Sequence, residues 1–216
     1  MAIKPPVLPK QLQSTSLTHG TLNTDDEEYH RLRFEGGYFE SESVDYLRFQ
    51  QVAFQDVRIE SSRILAPRLS DVRLQMCSLT NTSCEQIVAR RVEFIECQLL
   101  GWNSSKGHFQ DVLFRGCDIQ LSLFRFCTFK SVRFEECNLQ DASFQGSNLS
   151  NTVFSNCTLN NAEMSQTKLA GTDFRTSSID GLRVGINEVA GAIVDHFQAA
   201  YLASLLGLIV KNEDED

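Results

Sequence analysis

From Leu32 to about Gly191 the chain repeats with a period of five residues, without insertion. A repeat of this kind limits the fold more than any other feature of the sequence. Positions whose numbers end in 4 or 9 are almost all apolar: Phe34, Phe39, Val44, Phe49, Phe54, Ile59 and onward, resuming after Ser104 with Phe109, Phe114 and Ile119. Positions ending in 2 or 7 are mostly small or β-branched, as at Val52, Val72, Cys77, Val92, Cys97 and Ala142. Five matches neither the helical period nor simple strand alternation. Two apolar positions two apart share one face of an extended segment. The next pair starts three residues later, which reverses the parity, so the chain must turn a corner every five residues.

A second period, of twenty, counts the corners per circuit. Phe34, Phe54, Leu74, Phe94, Phe114, Phe134, Phe154 and Phe174 stand twenty apart, as do Cys77, Cys97, Cys117, Cys137 and Cys157. Four five-residue sides per circuit predict a four-sided coil with like residues stacked in ladders. Eight coils fit between 32 and 191. At a strand spacing of about 4.8 Å they would form a rod roughly 38 Å long. Stability is expected to be nearest-neighbour, coil on coil. Trp102 falls on an inward position that otherwise takes small residues, with Ser104 and Gly107 beside it. It reads as a packing adjustment with local distortion.

Hydrophobic residues make up 42% and charged residues 22% of the chain, which excludes wholesale disorder. Twenty basic against 28 acidic residues give a net charge of −8, which argues against direct nucleic-acid binding through a basic footprint. The first twenty residues carry no apolar signal segment, and the apolar tract 189–210 is interrupted by Asp195, His196 and Gln198. A cytoplasmic protein without a membrane span is expected. Seven cysteines, an odd number, favour free thiols. Stacked and parallel, the cysteine ladder reads as small hydrophobes rather than a metal site, since metal ligands must converge. His19, His30, His108 and His196 are scattered, and Glu135 and Glu136 read as solvated surface. No nucleophile, phosphate-loop or zinc spacing occurs, so no enzyme, cofactor or metal is expected.

The ends differ from the body. Residues 1–31, with Pro5, Pro6 and Pro9, read as an N-terminal extension covering one edge, and Leu12, Leu17 and Leu22 as an imperfect first coil. Asp25–Glu28 reads as an acidic turn. In 192–216, Asp195 and Gln198 form a capping box opening a helix over 196–206. Gly207 stops it, a short strand at 208–210 follows, and an acidic tail ends the chain. Phe197, Tyr201, Leu202, Leu205 and Leu206 cover more than one helix face, so one face closes the last coil and the other predicts a homodimer.

Segments such as CNLQD at 137–141, ASFQG at 142–146 and SNLSN at 147–151 resemble the pentapeptide-repeat family. The resemblance spans about 160 residues. It implies an all-β solenoid, a right-handed quadrilateral β-helix, here with a C-terminal helical cap. The segment GAIVDHFQAAYLASLLGLIV is similar to the dimerising C-terminus of quinolone-resistance pentapeptide proteins, which protect DNA gyrase by imitating DNA. That mechanism calls for acidic sides. Between 32 and 191 stand 16 basic and 19 acidic residues, unevenly distributed. The side bearing the cysteine ladder is acidic. The side opposite it is basic, with Arg48, Arg68, Arg90, Arg91, Lys130 and Lys168 against Asp71, Asp111 and Glu188. Many quinolone-resistance members also carry loop insertions, and none occurs here. The expected function is a non-catalytic scaffold binding a protein partner through its side faces. The alternative is a DNA-mimicking modulator of DNA gyrase.

Overall fold

The structure is a computed structural model that describes residues 3–17, 27–39, 43–205 and 207–211. Its strands are β1 (Gln13–Leu17), β2 (Glu28–His30), β3 (Leu32–Phe39), β4 (Val44–Asp45), β5 (Arg48–Gln55), β6 (Arg58–Ile59), β7 (Ile64–Leu65), β8 (Arg68–Gln75), β9 (Val88–Ile95), β10 (His108–Arg115), β11 (Thr128–Glu135) and β12 (Val153–Ser155). A helix, α1 (His196–Leu205), follows. Every pairing is parallel, and from β5 to β12 the register offset is twenty: Phe54 pairs with Leu74, Leu74 with Phe94, Phe94 with Phe114 and Phe114 with Phe134. Where strands give way to single bridges the offset persists, from Arg58–Ser78 to Asp173–Ile193. The chain is a β-solenoid wound in the order the five- and twenty-residue periods require.

The corners fall at positions ending in 1 and 6. There the backbone is left-handed: φ is +53° at Asp56, +57° at Asp71, +51° at Arg91, +54° at Asn81 and +66° at Gly101. Left-handed backbone is uncommon outside glycine, with Asn and Asp tolerated best, and these types recur on the corner rows. Two corner designs occur. Some are tight turns closed by an i+3 amide, such as Trp102 N to Leu99 O at 3.0 Å and Gly107 N to Ser104 O at 3.0 Å. Others are bends inside eight-residue strands: β5, β8, β9, β10 and β11 each pass a left-handed corner, at Gln51, Asp71, Arg91, Asp111 and Ser131. Val52, Val72, Val92, Val112 and Val132 follow those bends. Where Thr152 and Thr172 replace valine, the corner closes into a tight turn.

The core is a column of stacked rings. Phe94 and Phe114 stack at 4.7 Å, Phe114 and Phe134 at 4.7 Å, and Phe134 and Phe154 at 5.0 Å, all nearly parallel. A second column, Phe124 over Phe144 at 5.0 Å, meets the first edge-on. Such pairs add about 0.5–1.5 kcal/mol beyond burial. Trp102 is fully buried among Phe94, Phe109 and Phe124. The expected distortion is not there: Asn103 keeps its bridges to Ser83 and Leu123. Beside it, glycine is required at 107, where a Cβ would come within 2.7 Å of Ser104 O and 2.9 Å of Ile87 and Phe109.

Within residues 1–31 the edge falls to β1, and residues 3–9 lie elsewhere. They run along the corner between the basic and phenylalanine sides. Val7 N donates to Asp71 Oδ1 at 2.9 Å, Gln51 Nε2 donates to Val7 O at 3.2 Å, and Lys4 N reaches Asp111 Oδ1 at 3.5 Å. Strand β1 supplies the edge, pairing Gln13 with Leu32 and Thr15 with Phe34. Residues 208–210 form no strand; Ile209 is 86% exposed. Leu22, His19, Asp25 and Asp26 of the acidic turn, and the acidic tail lie outside the described residues.

Candidate functional site

All seven cysteines are free and buried. Each of several thiols donates to the carbonyl twenty-three residues earlier: Cys97 to Leu74, Cys117 to Phe94 and Cys157 to Phe134, at 3.4–3.5 Å. Ser122, Thr82 and Thr172 make the same bond, to Leu99 at 2.6 Å, Ile59 at 2.6 Å and Leu149 at 2.8 Å. Where that row holds Ser, Thr or Cys, several of them reach this carbonyl, cysteine weakly, while valine and alanine fill it elsewhere without a donor. Reading the ladder as plain hydrophobes missed this. Burial pushes the Cys127 thiol up to about 12 and that of Cys84 to about 11, far from the lowered range of reactive cysteines. Among the described residues no group of His, Cys, Asp and Glu converges as a metal site, and no helix is long and apolar enough to cross a membrane.

What remains is the surface. On the phenylalanine side every arginine has a carboxylate: Arg33 with Glu35, Arg73 with Glu93, Arg115 and Arg133 with Glu135, and Arg175 with Asp173. The Arg175 guanidinium holds the Asp173 carboxyl below its usual range. Exposed Asp56, Glu96 and Glu136 share the corner row next to the cysteine side. On the fourth side, Arg48, Arg68, Arg90, Lys130 and Lys168 all point outward and are exposed. Asp71, at the corner shared with the N-terminal arm, is nearly buried and takes Arg91 in two bonds, at 2.6 and 2.5 Å. Burial would raise its carboxyl, but Arg91 and the Val7 amide outweigh that and hold it low.

The C-terminal residues named from the sequence separate into two groups. Tyr201 and Leu202 are half-buried against the core. Phe197 is 76% and Leu205 44% exposed, and Leu208, Ile209 and Val210 are exposed beyond them. Leu206 lies outside the described residues. The capping box forms reciprocally, Gln198 N to Asp195 Oδ1 at 2.9 Å and Asp195 N to Gln198 Oε1 at 3.0 Å. Gln198 has a further role that the sequence did not disclose. Its Nε2 donates to Phe174 O, which already accepts from Ser177 N at 2.9 Å, and to Ser177 O, both at 2.7 Å, tying the helix start to the last coil.

A search of curated proteins gives no match. Among solved structures the chain is similar to a trypsin-treated variant of QnrB1, a plasmid-mediated fluoroquinolone resistance protein (17% identity, 92% of this chain and 100% of that one, TM-score 0.41). It is also similar to HetL of the cyanobacterium Nostoc sp. strain PCC 7120, a pentapeptide repeat protein involved in heterocyst differentiation regulation (12%, 87% and 88%, 0.39). A third is the pectin methylesterase of Aspergillus niger (14%, 88% and 84%, 0.42). Scores this low carry no function across. The family model described as a pentapeptide repeat region matches residues 67–144, 87–163 and 122–192, over half of the chain. With the twenty-residue register, the left-handed corners and the stacked phenylalanines in place, this chain belongs to the pentapeptide repeat family.

Proposed function

We propose that the chain is a non-catalytic scaffold that binds a protein partner through its side faces, as a homodimer joined at the C-terminal ends. One observation carries this reading. The core is packed with stacked rings and internally bonded thiols, whereas the sides carry charge patterned differently side by side. A surface of this kind steers and orients a partner. The exposed cluster of Phe197, Leu205, Ile209 and Val210 supports the dimer, since apolar groups gathered on one end favour burial against a copy. The test is retention of a stoichiometric partner by the intact tagged protein after cross-linking in cells; recovery of nothing above background counts against the scaffold.

A second reading, a DNA-mimicking modulator of DNA gyrase, draws support from the exposed acidic row Asp56, Glu96 and Glu136. The basic side opposite the cysteine ladder weighs against it. Purified protein that leaves gyrase supercoiling and its inhibition by quinolones unchanged eliminates this reading.

A further inference from the structure

Residues 3–9 meet the corner row Gln51, Asp71, Arg91 and Asp111 in a definite register. Val7 N donates to Asp71 Oδ1 at 2.9 Å, and Lys4 N reaches Asp111 Oδ1 at 3.5 Å. The two amides are three residues apart. Their acceptors are two rungs apart, about 9.6 Å. A β-strand would point amides three apart to opposite sides, and three α-helical residues advance only about 4.5 Å. Polyproline II, with three residues per turn, returns an amide to the same side every 9.3 Å or about two rungs. Pro5, Pro6 and Pro9 favour that form in themselves and in the residues before them. The rungs alternating with these acceptors carry donors: Gln51 Nε2 donates to Val7 O, and Arg91 braces Asp71.

The acceptor row outlasts the arm. Two rungs beyond Asp111 stands Asn151, exposed, with its Oδ1 over Gly171, where no side chain intrudes. Asp71, Asp111 and Asn151 thus repeat one spacing. The arm itself is lightly held: none of residues 3–9 is buried, and Val7 is 63% exposed, whereas Asp71 and Asp111 beneath are buried. A segment with few buried contacts opens at little cost. We infer that this corner is a docking site for an extended, proline-containing segment of a partner with a free amide at every third residue, and that the N-terminal arm is its displaceable internal occupant. The inference rests on the scaffold reading above and names its face and ligand chemistry. A partner segment that continues past Asp111 sets a further amide on Asn151, a bond that residues 3–9 do not make, and so displaces the arm.

The test uses the full chain and a fluorescein-labelled peptide, Lys-Pro-Pro-Val-Leu-Pro repeated twice, read by fluorescence anisotropy. A control peptide carries Pro in place of each Val and Leu, which keeps the charge and the helix and removes amides. Saturable binding of the first peptide is expected, at least about fivefold tighter than the control. Val7→Pro strips the arm of its amide and should tighten peptide binding. Asn151→Ala should weaken it by about fivefold. Both side chains are exposed, and thermal unfolding controls for the fold. A spin label at Lys4→Cys, selective because the native thiols are buried, should gain mobility over the same peptide concentrations. Absence of saturable binding overturns the inference, as do equal binding of the control, an arm label that does not respond, or weaker binding to Val7→Pro. A mass in light scattering that falls with Val7→Pro assigns the corner to the arm of a second copy and also overturns it. If Asn151→Ala and Val7→Pro leave retention of a cellular partner at the wild-type level, the scaffold reading stands and only this corner is wrong.

Discussion

At the scale of single residues, the phenylalanine ladder is the main source of stability. Phe114 is fully buried and stacked on both neighbours at 4.7 Å. Phe114→Ala should cost about 3–5 kcal/mol in chemical denaturation, and a loss below about 1 kcal/mol would remove it from the core. The thiols give a pH signature. Cys127, raised to about 12 by burial, disfavours the thiolate in the folded state. Its contribution is complete below the unfolded thiol range near 8.5, and it is lost as pH rises toward 12. Cys127→Ser should therefore flatten the alkaline arm of a stability–pH curve, and an unchanged arm would refute this. Periodicity placed every one of these residues inward. It did not reveal that several Ser, Thr and Cys side chains in the small slots bond a carbonyl, because that carbonyl lies twenty-three residues away and is fixed only once the coils stack.

At the scale of elements, two junctions can be tested. The ring column is interrupted at Leu74, beside a cavity of about 40 Å³ lined by Phe54, Leu74, Leu79, Phe94 and Trp102 among others. Leu74→Phe should complete the ladder and raise stability by about 1 kcal/mol, at roughly 24 cal/mol per Å³ filled; a lowered melting temperature would mean that the space is the wrong shape. At the far end, Gln198→Ala should leave the Ser177 carbonyl without its side-chain donor, costing about 1–3 kcal/mol and fraying the last coil in hydrogen exchange. The N-terminal arm depends on Asp71, whose lowered carboxyl contributes above the ordinary range near 4 and loses its hold as pH falls through its depressed value. The helix and its capping box were legible because their signals lie within four residues. The arm was not: prolines announce that a segment will not pair, and nothing local says which corner it will lie on.

At the scale of the whole molecule, the proposed dimer turns on the helix end. Phe197→Asp with Ile209→Asp should halve the mass in light scattering without loss of the fold, since both side chains are exposed; an unchanged mass would refute the C-terminal interface. Tyr201 and Leu202 are poor probes, because they also pack on the core.

The sequence by itself determined the winding, the inward rows and the distribution of charge among four sides, because a repeat of five in register leaves one way for like residues to meet. Tertiary structure alone decided which cations find carboxylates, where the arm lies, and which C-terminal side chains face the core. Those outcomes depend on rotamers and distances between neighbouring coils and across the ends, where the period imposes no constraint.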